Sequence, residues 1–535
     1  MPLRKWILIF LLAFMGAGIA KAAPMETMSV PMLERSWSEL NKSLNALDQL
    51  LPPDPSLPTS TSNTVPALPP ALLQANRSDG TTALSLNQAL AIGFQQNPNL
   101  QIQRLAINAA LDNLQAQLGT YWPRIVAVAG AGYGQINQGF GVPAGTTLFP
   151  ENSPFYVPTG ATATLSQASR NLNGGFELSY ELIDFARTPA IKAARARLQL
   201  ARQNYANGLR ELQLRISEAY YLLQRSDQLV RIRDADVRND LVVLNDVLAL
   251  KQAGLVPRLD LLRRQSIEAT SQEFLVQALA DRAVARRKLA VALNLAPEIT
   301  PVASDPIQLQ PRWPLDLETS LLEAYRDNPE LEALLATREA LLRDQNQMAA
   351  KLLPKLSFMA AGGAGSQQIS QFNVSGDCCG TTVIPTLNNL NNNWLLGLSF
   401  RWLLFDAGTS AAQVRSLGKQ AEIQNQRFIA QSNDIRLRLE QAFFNHEASL
   451  VKILSARRAV AASLEGFRDA KLRYQTGLAN EVTLSLTQDQ LVRDLVRRLE
   501  ATIDVNVSYA QLLRELLPVS RDPNHIPTPQ LILNP

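Results

Sequence analysis

The chain has 535 residues and a net charge of +4, with 51 Lys and Arg against 47 Asp and Glu. This near-neutral balance, without a block rich in Lys and Arg, argues against a protein that binds nucleic acid through clustered cations. Two histidines and two cysteines are too few and too scattered for the usual zinc spacings. We therefore expect no metal site and no cofactor, and without a phosphate-binding loop or a nucleophile with its base we expect no enzyme.

The N-terminus has the pattern of a secretory signal peptide. Arg4 and Lys5 precede an apolar run, and the small residues of Ala-Lys-Ala at 20–22 suit a signal peptidase. The run is shorter than the roughly 20 residues that a membrane-crossing helix needs, and no later segment is apolar for long enough. We predict that residues 1–22 are removed, that the mature chain is exported, and that residues 23–82 form an amphipathic segment and a Pro-rich linker.

Two copies of one unit follow the linker. Asn97-Pro98 recurs 231 residues later as Asn328-Pro329, and Gly254-Leu255 recurs 223 residues later as Gly477-Leu478. Agreement in the same order at separated places indicates an internal duplication. The predicted boundaries are 83–300 for the first repeat, 301–314 for a connector, 315–518 for the second repeat and 519–535 for a Pro-rich tail.

Each unit is predicted to run helix, helix, strand, long loop, strand, very long helix, helix. Apolar residues recur every seven positions in the very long helix, so it is expected to supercoil left-handedly and keep this seam against its neighbours. At 1.5 Å per residue, the helix after Pro189 would be roughly 100 Å long. His446 occupies a seam position and is expected to face a neighbouring helix. The seam comprises Leu209, Ile216, Leu223, Val230, Val237 and Leu244 in the first copy and Leu439, His446, Ile453, Val460 and Phe467 in the second.

The clearest strand patterns have two different faces. In Phe176–Leu182 and Trp394–Phe405, large apolar residues on one face alternate with polar or small residues on the other. In an exported protein, this pattern and the aromatic residues in it favour a membrane barrel over a soluble sandwich. The predicted pore-lining residues are Glu177, Ser179, Glu181, Ser399 and Arg401, and the predicted membrane belt consists of Tyr180, Trp394 and Trp402.

The partner strands, 124–135 and 355–367, are rich in Gly and Ala and alternate less clearly. The chain then has four strands, which are too few to close around even their own side chains, and an open sheet edge is not tolerated in hydrocarbon. The chain must therefore oligomerise to close a barrel. Two copies would give eight strands and three would give twelve, and the sequence alone leaves both possibilities open.

Over residues 84–517 the chain resembles the TolC-type outer-membrane efflux protein family. The resemblance rests on the two Asn-Pro helix starts, on Leu404–Gly408 at the return from strand to helix, and on Lys471–Leu478 before the second turn. It implies an α+β membrane protein with two tandem repeats, four transmembrane β-strands and long coiled helices per chain. It also implies a homotrimer in the outer membrane, whose 12-stranded β-barrel continues into a 12-helix periplasmic α-barrel.

The resemblance also implies a function. Such proteins are passive exit ducts for drugs, proteins or other solutes, recruited by a periplasmic adaptor protein and an inner-membrane RND pump or ABC exporter. Gly254, Leu255, Gly477 and Leu478 map to the helical tips at which adaptors dock, and glycine suits a helix C-cap because it adopts positive φ without strain. Several family members carry acids six and nine residues after the second tip glycine, where this chain has Thr483 and Leu486.

Two alternatives remain open at this stage. A secreted trimeric coiled-coil stalk or adhesin would also use long seams, although it needs no second copy of the strands. Cys378 and Cys379 lie in a predicted extracellular loop, where adjacent cysteines form only a strained ring. A vicinal disulfide, a bridge between subunits and free thiols are all compatible with these two residues.

Overall fold

The chain divides into two units, residues 1–69 and residues 70–535. The computed structural model describes residues 70, 72, 74, 81–141, 162–376, 379–384 and 387–516, all within the second unit. The predicted signal peptide, most of the predicted linker and the predicted C-terminal tail lie outside the described residues.

The described elements follow the predicted order in both halves. The first half contains β1 (Thr81–Leu84), α1 (Leu86–Gln96), α2 (Pro98–Gly119), β2 (Arg124–Gly141), β3 (Thr162–Ile183), α3 (Arg187–Gln252) and α4 (Arg258–Leu293). The second half contains β4 (Thr300–Ala303), α5 (Leu317–Tyr325), α6 (Pro329–Ala350), β5 (Lys355–Gly376), β6 (Cys379–Ile384), β7 (Leu387–Arg401), α7 (Thr409–Gln475) and α8 (Glu481–Leu516). The short strand β6 lies where a loop was predicted, and β2, β3 and β5 extend well beyond their predicted ends. β7 begins seven residues before the predicted Trp394 and ends four residues before the predicted Phe405.

Each of the two Asn-Pro sequences starts a helix, with the asparagine as its N-cap. The side-chain oxygen of Asn97 accepts hydrogen bonds from the backbone of Asn99 (3.0 Å) and Leu100, and that of Asn328 accepts one from Glu330 (2.9 Å). The following proline occupies the first helical turn, where its missing N–H leaves no hydrogen bond unmade. The same cap therefore starts α2 and α6, as an internal duplication predicts.

The long helices confirm the seven-residue seams. α3 has 66 residues and α7 has 67, so each is about 100 Å long. All six predicted seam positions of α3 are buried, as are the first four of α7, including His446. The seams bury their apolar side chains between helices of the same chain, and this burial is the main stabilising term for the helical layer.

One antiparallel sheet runs in the order β2-β3-β5-β7, with β6 also paired to β5. β1 and β4 form a separate parallel pair, in which Leu84 lies opposite Ala303, and this pair ties the first repeat to the connector. The strands at the two ends of the larger sheet, β2 and β7, each have one neighbour among the described residues. The sheet within one chain is therefore open on both sides.

As in the sheet, helices of the first repeat lie at one side of the helical layer and helices of the second repeat lie at the other. α3 packs against α2 and α6, and it also packs against α4 and α8. α7 packs against α6 and α8. The helical layer thus runs α2-α3-α6-α7 in one part and α4-α3-α8-α7 in the other, and in both parts a first-repeat helix lies at one side and α7 at the other.

Candidate functional site

The register of the sheet places large apolar side chains on one face across neighbouring strands. Tyr180 lies opposite Phe358, which lies opposite Leu398, and the row that contains Phe176 ends at Trp394. Phe176, Leu398 and Trp394 are exposed in the single chain. This face, called the apolar face below, presents large exposed apolar side chains from adjoining strands, so it suits contact with lipid.

Trp402 differs from the other two predicted belt residues. β7 ends at Arg401, one residue before Trp402, and the indole N–H of Trp402 donates a hydrogen bond to the carbonyl oxygen of Leu352 at 3.1 Å. Its side chain therefore lies at the junction between the sheet and the helices. Tyr121 and Trp122 are exposed at the corresponding junction of the first repeat. An aromatic residue with an apolar body and a polar tip suits a membrane–water boundary at this level.

The predicted pore-lining residues all lie on the opposite face, called the polar face below. Glu181 and Ser399 are both partners of Ser357, and Lys355 lies opposite Arg401. The Lys355 amine lies 3.2 Å from Asp184 and 3.9 Å from Glu181. Charged side chains of both signs are thus concentrated at the helical end of the polar face, and farther along the strands this face carries Gly and Asn.

The two predicted docking tips have the same geometry. Gly254 and Gly477 have φ of +72° and +75°, which L-residues with a side chain rarely adopt. The N–H of Leu255 donates to Leu250 O at 2.9 Å and that of Leu478 to Arg473 O at 2.8 Å. These bonds close a Schellman motif at the end of each long helix. Leu255 is 72% exposed and Leu478 is 80% exposed, so both leucines are available to a partner.

A buried charge cluster behind the tips was not predicted from the sequence. Arg264 of α4 and Asp240 of α3 are 0% exposed and form an ion pair. The same guanidinium lies 3.8 Å from Glu481 of α8, and it donates to Gln488 Oε1 at 3.2 Å. Gln488 in turn donates to Asp240 at 2.6 Å. This set, called the tip cluster, joins three helices where only apolar seams were expected.

Thr483 and Leu486, which occupy the positions where several family members carry acids, lie near the start of α8. The backbone and hydroxyl of Thr483 both donate to Asn480 Oδ1, at 2.9 and 2.8 Å, so Thr483 takes part in the helix cap. Leu486 is exposed. Asp489 makes an exposed pair with Arg493, one helical turn away on α8, at 3.6 Å. The cap explains why Thr483 is suited to its position, independently of any role at the entrance.

A second unpredicted cluster, called the α6 cluster, lies at the C-terminal end of α8 and near the middle of α7. Glu330 accepts from Arg438 at 2.8 Å and from Arg514 at 2.7 Å, and Arg438 also reaches Glu515 at 3.1 Å. Burial by itself would raise the pKa of Glu330, but the hydrogen bond from Arg438 and the charge of Arg514 outweigh it and hold the pKa below 4.5. The ionised carboxylate therefore links α6 to α7 and α8.

This cluster predicts a pH dependence. A carboxyl whose pKa is lower in the folded protein contributes stability above its unfolded pKa of about 4.5, and the contribution is lost as the pH falls through the folded pKa. At pH 7, Glu330→Gln is expected to lower the free energy of unfolding by about 1–3 kcal/mol. Thermal unfolding of the detergent-solubilised protein should show this difference shrinking below pH 4.5. Glu332→Gln, in the same helical turn, is the control, and an equal effect of both variants would contradict the assignment.

His446 is the seam residue that is not apolar. Its ring is buried between α7 and α8, and Nδ1 lies 3.2 Å from Ser508 Oγ. Burial lowers the pKa of His446, because the charged ring would lose its hydration. The histidine faces a neighbouring helix as predicted. At neutral pH it is expected to be an uncharged, hydrogen-bonded part of the α7–α8 contact.

Three further observations concern metal binding, membrane-crossing helices and the two cysteines. Within the described residues, no group of three or more His, Cys, Asp or Glu side chains is placed to hold a metal ion. None of the described helices carries an apolar stretch long enough to cross a membrane. Cys379 is the first residue of β6, whereas Cys378 lies outside the described residues, so the disulfide hypothesis stays untested.

The chain is similar to known proteins in sequence pattern and in fold. A family model described as outer membrane efflux protein matches residues 88–295 and 321–516. The chain is similar to the solved outer-membrane channel OprN, with 19% identity, a TM-score of 0.61, and 87% of this chain and 98% of OprN covered. Two further similar structures are CmeC of Campylobacter jejuni (12% identity, TM-score 0.63, 87% and 94% covered) and VceC of Vibrio cholerae (15%, 0.61, 81% and 95%). No curated protein sequence matches the chain.

Proposed function

The chain belongs to the outer membrane efflux protein family, and we propose that three copies close into one exit duct through the outer membrane. In this proposal the four strands of each chain contribute to a twelve-stranded barrel, and the long helices continue the duct into the periplasm. The energy for transport comes from an inner-membrane pump that an adaptor connects to the helical tips. The family match gives no support to a secreted stalk or adhesin.

The observation that carries the proposal is the agreement between the open sides of the two layers. The sheet begins with β2 and ends with β7, and the helical layer begins with α2 or α4 and ends with α7. The side of one copy that carries β2 and α2 or α4 can therefore pack against the side of the next copy that carries β7 and α7, in the sheet and the helical layer at once. Such a head-to-tail contact between unlike surfaces generates a ring when the rotation closes.

The number of copies follows from the width of the lumen. Eight strands leave an interior that is just filled by side chains, so a dimer would have no duct. Twelve strands leave an open lumen, and the polar face would line it while the apolar face meets lipid. Glu177, Ser179, Glu181, Ser399 and Arg401 are then pore-lining, and Tyr180, Trp394 and Trp402 belong to the membrane belt.

The exposed edge of α7 supports a helical contact between copies. Leu437, Phe444 and Val451 are exposed and recur every seven residues, and Val284 and Val291 do so on α4. Seven-residue spacing is the pattern of a coiled-coil seam. Both stripes stay exposed within the described part of one chain, although the helical residue Leu72 borders the same groove as Val284 and Val291. We propose that the α7 stripe of one copy packs against the α4 side of the next.

A paired substitution tests this contact. Phe444→Glu combined with Val451→Glu is expected to convert the detergent-solubilised trimer into monomers, because two charges would be buried without partners. Val242→Glu is the control, since Val242 is also exposed but lies on α3, which has helices of its own chain on both sides. Analytical ultracentrifugation measures the result. A trimer that survives the double substitution would refute the proposed contact, and loss of the trimer in the control as well would show that the effect is not specific to this stripe.

Reconstitution tests the function itself. The full-length protein, inserted into a planar lipid bilayer, is expected to give stable, ohmic current steps from a water-filled pore. Protein recovered from the outer membrane only with detergent, but silent in the bilayer at all voltages, would contradict the duct. The cargo is left to the pump in this proposal, because a wide polar lumen selects weakly among solutes.

A further inference from the structure

A small niche lies on the polar face of the sheet, between β3, β5 and β7. Its volume is about 290 Å³, and its lining combines polar residues of the polar face with glycines and apolar residues, among them Val128 and Leu395. The floor is bare backbone, because Gly175 of β3 and Gly363 of β5 lie opposite each other and neither carries a side chain. A Cβ atom at Gly175 would lie 2.6 Å from the carbonyl oxygen of Gly362, so the strands approach too closely there for any other residue.

The walls of the niche carry one charge and several amides. Glu177 and Asn173 come from β3, and Asn391 and Asn393 come from β7. A Cβ atom at Gly365 would lie 2.6 Å from Asn391 Oδ1, which shows that this amide lies flat over the glycine. The absence of side chains in the floor thus makes room for amide groups that point along the sheet surface.

The carboxylate of Glu177 is not neutralised within the part of the chain that the structure describes. No ion pair or hydrogen bond joins it to another described residue, whereas the neighbouring Glu181 lies 3.9 Å from Lys355. A carboxylate accepts hydrogen bonds but donates none, and an amide oxygen adds further acceptors. The niche therefore presents a negative, acceptor-rich surface to the solvent.

We infer that this niche is a binding site for small organic cations that carry a primary ammonium or guanidinium group. Such a group supplies several N–H donors and one positive charge, which match one carboxylate and a set of amide oxygens. A divalent metal ion fits less well, because Ca²⁺ and Mg²⁺ require six or more oxygen ligands and the niche offers a single carboxylate. The volume is sufficient for a diamine and too small for a drug-sized ligand.

The inference rests on the proposed function in one respect, because the niche faces the lumen only if the chains close a barrel. In the closed ring, three equivalent niches would lie at one level of the lumen, beyond the charged residues at its helical end. A cation that leaves the duct would then pause on the wall at this level. The pore would conduct small ammonium ions with a saturable, voltage-dependent current.

Current block in a planar bilayer tests the site, with 1,4-diaminobutane as the probe and its neutral diacetylated derivative as the comparison. The diamine is expected to reduce the current reversibly, and the derivative should have no effect. Glu177→Gln should raise the half-blocking concentration at least about fivefold, since one nearby charge is lost. Glu318→Gln, which removes an exposed carboxylate of α5 outside the sheet, is the control, and it should leave the block unchanged. Equal block of the wild type and Glu177→Gln, or equal block by the neutral derivative, would overturn the inference.

Equilibrium dialysis separates this inference from the proposed function. Each niche is built from one chain, so labelled 1,4-diaminobutane should bind the detergent-solubilised full-length protein whether or not it conducts. Binding that depends on Glu177 in a protein without pore activity would support the site and contradict the duct. A conducting pore that neither binds the diamine nor is blocked by it would support the duct and contradict the site.

Discussion

Replacing Leu255 and Leu478 together by glutamate is expected to abolish export while leaving the trimer intact. The two leucines lie at the ends of the long helices, and most of each side chain is exposed to solvent. They contribute little to folding, but an adaptor that docks on the tips would bury them, and a buried, unpaired carboxylate costs several kcal/mol. At about 1.4 kcal/mol per tenfold change in affinity, two such costs would remove binding altogether.

The measurement is drug or substrate export in cells, together with the trimer content of the outer membrane. Leu322→Glu is the control, because Leu322 is a similarly exposed leucine on α5, away from the tips. It should export normally. Normal export by the double tip variant would show that adaptors contact another surface, and loss of the trimer would show that the tips serve folding instead.

Replacing Arg264 by leucine is expected to produce the largest loss of stability near the tips. The substitution would leave Asp240 and Glu481 buried without their shared cation. Removing one partner of a buried ion pair typically costs about 3–5 kcal/mol, because the remaining charge is not solvated. Hydrogen exchange should become faster in α3, α4 and α8 at this level, while the exchange of the α6 cluster should stay unchanged.

Arg263→Leu provides the comparison, because Arg263 is adjacent but its side chain is 41% exposed, and its contacts with Asp260 and Glu481 are both 3.9 Å. Its expected cost is below about 1 kcal/mol. A second variant, Arg264→Leu with Asp240→Asn, should recover part of the lost protection, since it removes one stranded charge. Equal effects of Arg263→Leu and Arg264→Leu would refute the structural role of the tip cluster.

The repeats and the helix seams could be predicted from the sequence because they are periodic. A seven-residue apolar pattern determines which side of a helix is buried whatever the helix packs against, and the seams of α3 and α7 confirm this. The tip glycines could be predicted for a related reason. A glycine followed by leucine at the end of a long uninterrupted pattern satisfies the local geometry of a C-cap.

The ends of the strands could not be predicted in the same way. β5 continues to Gly376 and β2 to Gly141 through segments that contain Gly, Gln and Asn, whose intrinsic strand preference is low. Their pairing comes from the neighbouring strands, which a single segment does not reveal. The C-terminal end of β7 differs in the other direction, because the strand ends at Arg401 although the apolar alternation continues to Phe405.

The charge clusters were missed because a charged residue in a helix usually belongs to a solvated face. Arg264 and Glu330 have no sequence signal that separates them from the many exposed arginines and glutamates of the same helices. Their burial depends on partners that lie 24 to 224 residues away along the chain. One faint signal was available for the tip cluster, since Gln488 repeats Gln265 at the same 223-residue spacing as the two tip glycines.

The buried polar contacts between the helices have a consequence for assembly of the chain. A helix with a uniform seven-residue seam can slide along its neighbour by one repeat and bury nearly the same apolar area, so many misaligned pairings would compete during folding. Arg264 with Asp240, and His446 with Ser508, each have a partner in only one longitudinal alignment. These interruptions make every slipped pairing costly, and they thereby fix the height at which the two tips meet.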